Sequence, residues 1–242
     1  MSSCSSCSCD NKKTFAIAID GPSGSGKSSL AKNLAAKLGF LYLDTGALYR
    51  TVGVYVCESG VFGHETEKIE QLVEDGNIKI DVVYKDGEQK VFLNSDDVSE
   101  KIRENHISKY ASDVAKIPKV REFLRETQKA AADKNNIIMD GRDIGTVILP
   151  NADVKIFLTT SPEERAKRRY EELIQKGKDV EYDAIFREIN ERDMQDSTRV
   201  TSPLKPADDA VIFDNSDCKS PAESLEKAIN IIKEKLPDVV VW

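Results

Sequence analysis

The chain has 242 residues, 40% of them hydrophobic and 32% charged, with a formal net charge of -7. This describes a soluble globular protein with room for one large α/β domain or two small ones. It excludes a whole-molecule basic field for nucleic acid, and no apolar run approaches the ~18 residues that a membrane span requires. Anion binding must therefore rest on local clusters of cations, and the expected location is cytoplasmic.

Residues 1–13 open on Met1-Ser2-Ser3-Cys4-Ser5-Ser6-Cys7-Ser8-Cys9, a low-complexity stretch without the apolar region of a signal peptide. They read as a disordered tail. The other two of the five cysteines, Cys57 and Cys218, read as small apolar residues. Phe15-Ala16-Ile17-Ala18-Ile19 then reads as a buried strand, and Leu30, Leu34 and Leu38, closed by Gly39, as a helix with a glycine C-cap.

Between this strand and helix lies Gly21-Pro22-Ser23-Gly24-Ser25-Gly26-Lys27-Ser28, a glycine, four residues, then Gly-Lys-Ser. Strand, glycine loop and helix form the context in which this pattern cradles a polyphosphate. Glycines let the backbone come close and turn its N–H groups inward, and the helix N-terminus adds a positive dipole end. Lys27 supplies a mobile charge for the outer phosphates, and the Ser28 hydroxyl suits Mg²⁺. Residues Gly21 to Ser29 are thus the candidate ATP site, with Mg²⁺ as the accompanying ion.

Phe40-Leu41-Tyr42-Leu43 is a second strand, ending in Asp44-Thr45-Gly46, and a helix follows through Leu48, Val52 and Val56. The chain therefore opens β-α-β-α, the order of a parallel sheet. The pattern then changes. Ile78, Ile80, Val82 and Tyr84 alternate with polar residues, Lys85-Asp86-Gly87-Glu88 turns, and Val91 and Leu93 resume. This predicts an antiparallel hairpin inside an insertion of about 72–112. Short helical pieces run through Ile102 and Val114, and Pro118 starts a helix to about Asp133. Ile137-Ile138-Met139, ending in Asp140-Gly141-Arg142-Asp143, is the third core strand, and Val154 to Leu158 the fourth. Ser161-Pro162-Glu163-Glu164 starts a helix carrying Arg165, Lys167, Arg168 and Arg169. A charged segment of about 177–206, a fifth strand at Val211-Ile212-Phe213 and a helix at 221–235 complete the chain.

Ligands of open parallel sheets bind beyond the carboxyl ends of the strands. The glycine loop, Asp44-Thr45-Gly46 and Asp140-Gly141-Arg142-Asp143 all stand at such ends. Asp140 suits a magnesium or magnesium-water ligand. Arg50, Arg142, Arg192 and Arg199 border the same region, and guanidinium forks match phosphate oxygens. Transfer of a phosphoryl group between two anions requires this kind of neutralisation. A regulatory GTPase would need Asp-x-x-Gly and Asn-Lys-x-Asp segments, which the sequence lacks. A binding module that has lost activity would not need Lys27, Arg50, Asp140 and Asp143 together.

Taken together, Ile19–Ser28, Leu43-Asp44-Thr45-Gly46-Ala47-Leu48-Tyr49-Arg50, Asp140-Gly141-Arg142-Asp143-Ile144-Gly145-Thr146 and Arg192-Asp193 with Asp196 and Arg199 resemble the bacterial-type cytidylate kinases of the nucleoside monophosphate kinase family. The likeness covers about residues 14–236. It implies a P-loop NTPase-like three-layer α/β fold with a five-stranded parallel sheet, the insertion at about 72–112, a helical lid at about 168–192 and a short tail at 237–242. It implies Mg²⁺- and ATP-dependent phosphorylation of CMP and dCMP by a monomer, with no nucleic-acid or membrane partner. By motif position, Asp44, Thr45 and Arg50 meet the acceptor, Arg142 and Arg199 its phosphate, Ser112, Arg121 and Asp143 the cytosine, and Arg192 and Asp196 the ribose. Lys27, Arg142, Arg192 and Arg168 carry the transfer, with Arg169 an alternative to Arg168. Thr45 stands where the family commonly has serine, with the hydroxyl kept. A kinase for another small acceptor, such as UMP or AMP, is the nearest rival.

Overall fold

The computed structural model describes residues 14–85 and 88–237. The tail expected at 1–13, the hairpin-turn residues Asp86 and Gly87, and all but Pro237 of the tail expected at 237–242 lie outside the described residues.

Five parallel strands make the central sheet: β1 (Ala16–Asp20), β2 (Leu41–Asp44), β6 (Ile137–Gly141), β7 (Val154–Thr159) and β8 (Val211–Asp214), in the order β2-β6-β1-β7-β8. The central position of β1 explains its composition. Ile17 and Ile19 point to one face, against Leu30 and Leu34 of α1 (Lys27–Leu38) and Ala228 and Ile232 of α8 (Pro221–Lys235). Ala18 points to the other, with Met139, Ile144 and Ala132 of α5 (Pro118–Lys134). A strand covered on both sides is apolar throughout, which is why it shows no polar alternation. Helix ends follow local chemistry. Gly39 closes α1 at φ 66°. Ser161 caps α6 (Pro162–Gln175) by accepting from the Glu164 N–H at 3.2 Å, and Ser220 caps α8 by accepting from the Glu223 N–H at 3.2 Å.

The stretch between β2 and β6 builds a second core. α2 (Thr45–Glu58) buries Val52 and Val56 against Ile69 of α3 (Thr66–Glu74), Val91 and Leu93 of a small antiparallel sheet, Ile107 of α4 (Asn105–Val114) and Leu124 of α5. That sheet is β3 (Ile80–Lys85), β4 (Glu88–Leu93) and the two-residue β5 (Asp96–Asp97). Its apolar side therefore packs in one continuous core with α2. Gly53 of α2 lets α4 come close: a Cβ there would lie 3.1 Å from both the Ala111 amide nitrogen and the Tyr110 Cβ.

α6 and α7 (Tyr182–Thr198) share a smaller cluster of Ala166, Leu173 and Ile185, edged by Tyr170, Val180, Phe186 and Ile189. One local feature has no signal in the periodicity: residues Ile144–Ile148, directly after β6, form a π-helical turn. Among the described residues no helix is long and apolar enough to cross a membrane.

Candidate active site

The carboxyl ends of β1, β2 and β6 lie side by side and open into one cleft. The glycine loop leaves β1 and enters α1 with Gly24 and Gly26 at φ 77° and 85°, left-handed conformations that side chains seldom adopt. It is anchored from three elements. Its Ser23 carbonyl accepts from Arg165 Nη1 at 2.9 Å, and its Ser25 carbonyl accepts from Asn215 Nδ2 at 3.1 Å and Thr160 Oγ1 at 3.2 Å. Lys27 Nζ donates to the Pro22 carbonyl at 3.1 Å, so the ammonium folds over the loop.

A cavity of 240 Å³ extends from this loop toward α4 and α7. Ser23, Gly24, Lys27 and Ser28 line its loop end; Asp44, Thr45 and Arg50 one side; Asp140 and Arg142 the floor; Ser112 and the Arg121–Asp143 pair the far end; Arg192, Asp196 and Arg199 the α7 side. Most are held by defined bonds. Ser28 Oγ donates to Asp140 Oδ2 at 2.7 Å, and the Tyr42 hydroxyl donates to Asp140 Oδ1 at 2.9 Å. Thr45 Oγ1 donates to the Asp140 carbonyl at 2.7 Å. Asp44 caps α2 by accepting from the Ala47 N–H at 3.0 Å and pairs with Arg50 Nη2 at 2.7 Å. Arg142 Nε donates to Asp196 Oδ2 at 2.8 Å. Arg121 and Asp143 form an ion pair with both side chains buried, and the Tyr49 ring centre lies 5.5 Å from the Arg121 guanidinium carbon. Arg199 stands 3.9 Å from carboxylate oxygens of both Asp143 and Asp196.

The cavity is built for an anion. Lys27, Arg50, Arg121, Arg142, Arg192 and Arg199 face four carboxylates, Asp44, Asp140, Asp143 and Asp196, in a molecule whose overall charge is negative. Burial, then the nearby Arg142, pushes the Lys27 ammonium down to about 7. Burial and Arg142 lower Arg192, and burial and Arg121 lower Arg199. Burial opposes ionisation of Asp196, yet Arg142, Arg199 and Arg192 together hold it below the usual carboxylate range. Burial and neighbouring Asp44 push Asp140 up to about 6. Arg192 Nε and Arg199 Nη2 are buried without hydrogen-bond partners, donors that a phosphate or ribose oxygen would satisfy.

Some expected residues lie elsewhere. Gly21, Pro22, Ser25 and Gly26 shape the loop but do not line the cavity; a Cβ on Gly21 would lie 2.1 Å from the Leu158 carbonyl oxygen. Ser29 faces a cavity of 450 Å³ toward Gln89 and Arg103, which shares Ser28, Asp44 and Arg50 with the first. Arg168 lines an 840 Å³ cavity between the glycine loop and α6–α7, together with Arg169, and bonds Glu164 and the Asn215 carbonyl. Other residues carried no readable signal. Ser108 borders all three cavities, and Tyr42 and Arg165 act through contacts distant in sequence. Asp20, the residue before Gly21, is buried and accepts from the Ile144 and Gly145 N–H groups.

Ser28 and Asp140 offer a pair of hard oxygens beside Lys27, which suits Mg²⁺. Among the described residues no group of three or more His, Cys, Asp or Glu could hold a metal unaided. An ion here would complete its shell from phosphate and water, as Mg²⁺ habitually does with nucleotides.

A family model described as cytidylate kinase matches residues 17–234. The cytidylate kinase of Caldicellulosiruptor bescii is 49% identical over 219 residues, covering 90% of this chain and 96% of its own. That of Pelotomaculum thermopropionicum is 49% identical over 216 residues, covering 88% and 93%. That of Carboxydothermus hydrogenoformans is 47% identical over 219 residues, covering 90% and 97%. With a matching family model across nearly the whole sheet-and-helix body and relatives near half-identical along their full length, this chain belongs to the cytidylate kinase family.

Proposed function

We propose that this chain transfers the γ-phosphoryl group of ATP to CMP and dCMP, giving CDP and dCDP, with Lys27, Arg142 and Arg192 stabilising the transferring group. The observation that carries the choice of acceptor is the buried Arg121–Asp143 pair at the far end of the cavity. Cytosine presents an amino donor beside an acceptor nitrogen. A carboxylate only accepts and a guanidinium only donates, so Asp143 suits the amino group and Arg121 the nitrogen. Uracil presents the reverse edge and would leave both groups facing a mismatched partner. Ser112 lines the same end of the cavity and completes the contact with the base.

The acceptor phosphate has its second pKa at about 6, so its attacking oxygen is already ionised and the site requires no general base. That fits the carboxylates here, which are engaged with arginines or with Ser28 and Tyr42. The chemical demand is to bring two anions together. Arg142 and Arg199 hold the acceptor phosphate, Thr45 and Arg50 its near side, and Asp196 with Arg192 the ribose. Lys27 and the loop amides hold the outer phosphates of ATP. Ser28 and Asp140 would hold the Mg²⁺ that accompanies ATP, which when bound supplies positive charge between those phosphates. Arg168 and Arg169 sit across the larger cavity and reach the transferring group only when α6 and α7 close.

Asp143→Asn tests this reading. The amide can donate to the uracil oxygen, while Arg121 still opposes the uracil N–H, so the switch is partial. One buried hydrogen bond is worth roughly 1–3 kcal/mol, and the CMP-to-UMP ratio of kcat/KM should fall by about ten- to a hundredfold. An unchanged ratio would remove Asp143 from base recognition.

A further inference from the structure

We propose that Asp20 is a positioning residue that sets acceptor selectivity: it caps the turn after β6 from the neighbouring strand and thereby leaves the Asp143 carboxylate free to face the cavity. This rests on the reading of Asp143 as the residue that meets the base.

Asp143 occupies the capping position of the Ile144–Ile148 turn, yet its side chain makes no capping bond. An aspartate at that position ordinarily accepts from the N–H two or three residues on, here Gly145 or Thr146. Asp20 has taken that role. Its Oδ1 accepts from the Ile144 N–H at 2.8 Å and its Oδ2 from the Gly145 N–H at 2.7 Å, across 124 and 125 residues of sequence. The strand register makes this possible, because Asp20 lies directly beside Gly141 in the β1–β6 pair. The seat is also tight: a Cβ on Gly145 would meet Lys155 at 3.2 Å and Asp20 Oδ2 at 3.4 Å. With its own turn already satisfied, the Asp143 carboxylate turns the other way, to Arg121 and toward Arg199.

Asp20 touches no part of the cavity, so it is not among the lining residues. It acts by excluding the local bond that Asp143 would otherwise form. Without Asp20, the Gly145 N–H is a buried orphan, and Asp143, which stands at the capping position of the turn, is placed to cap it. Asp143 would then leave Arg121, and base discrimination would fall even though every base-contacting residue is intact.

The test is steady-state kinetics with CMP and UMP, and calorimetric binding of CMP and of ADP, for Asp20→Ala, Asp20→Asn and Asp143→Asn. Asp20→Ala should lower the CMP-to-UMP ratio of kcat/KM by about tenfold, mainly through KM for CMP, while ADP binds within about threefold of wild type. Asp20→Asn keeps one acceptor oxygen and should fall between; being nearly isosteric, it also serves if the alanine variant does not fold. Combined with Asp143→Asn, Asp20→Ala should add little further loss of selectivity, because both act through one carboxylate. Equal loss of CMP, UMP and ADP binding would make Asp20 a fold residue only and overturn the proposal. If Asp143→Asn changes the ratio and neither Asp20 variant does, the role of Asp20 alone is overturned. If Asp143→Asn changes nothing, the base-reading assignment fails and this inference falls with it.

Discussion

Lys27 lies folded over its own loop, bonded to the Pro22 carbonyl and pushed down to about 7 by burial and Arg142. A cation so placed contributes little to the fold and much to a bound polyphosphate. Lys27→Ala should therefore keep a cooperative thermal transition and lose at least a hundredfold in kcat, about 3 kcal/mol of transition-state stabilisation. Near-normal turnover, measured by coupled ADP release, would remove Lys27 from the transfer. Asp20 shows the opposite balance. Burial pushes its carboxyl from 3.8 to about 6, against the pull of the Gly145 and Ile144 N–H groups. A carboxyl raised on folding favours the fold below about pH 4 and loses that contribution as pH rises through about 6, roughly 3 kcal/mol in all. The Tm of Asp20→Asn minus that of wild type should thus become more positive from pH 4 to pH 7, then level off. A difference that stays flat would mean that Asp20 is not ionised at a cost. The glycine-loop residues were legible in the sequence because their chemistry is local: motif, strand before, helix after. Asp20 was not, since its partners lie over a hundred residues away and only the β1–β6 register brings them together.

At the scale of elements, the strands and helices around the site were readable from periodicity and caps. The β-branched runs became β1, β6 and β7, and Ser161-Pro162 opened α6 as its cap chemistry predicts. What periodicity did not carry was how closely the elements approach. Gly53 shows this: in sequence it is an unremarked helix residue, yet it seats α4, which bears Ser108 and Ser112, on α2. An Ala in a helix interior normally gains about 1 kcal/mol over Gly. Here the new Cβ meets the Ala111 backbone at 3.1 Å, and backbone gives way poorly. Gly53→Ala should leave Tm unraised and increase KM for CMP by about three- to tenfold, with ADP affinity unchanged. A higher Tm with unaltered KM would show that the helix contact does not position the acceptor site. The π-helical turn at 144–148 carried no signal in the sequence either, because five residues are too few to show a period and the Asp20 carboxylate that bonds its first N–H groups is distant in sequence.

At the scale of the molecule, the 240 Å³ cavity proposed for the acceptor shares Ser23, Gly24, Ser108 and Arg192 with the larger 840 Å³ space between the glycine loop and α6–α7. Arg168 and Arg169 stand at its edge, and Arg165 joins that helix pair to the loop through Ser23 and Asp193. A transfer site must exclude water or hydrolyse ATP. The 168–199 segment is therefore expected to close over both nucleotides, and protease cleavage within it should fall only when ATP and CMP analogues are bound together. Cleavage that is unchanged by both would rule out closure by this segment. Choice of acceptor is what the cavity's residues are arranged for. Its most direct test is kcat/KM by coupled ADP release, at fixed ATP and Mg²⁺, with CMP, UMP, AMP and GMP in turn. CMP should come first, UMP at least about tenfold lower, and AMP and GMP near background. Equal turnover of CMP and UMP, or a purine monophosphate preferred over CMP, would contradict it.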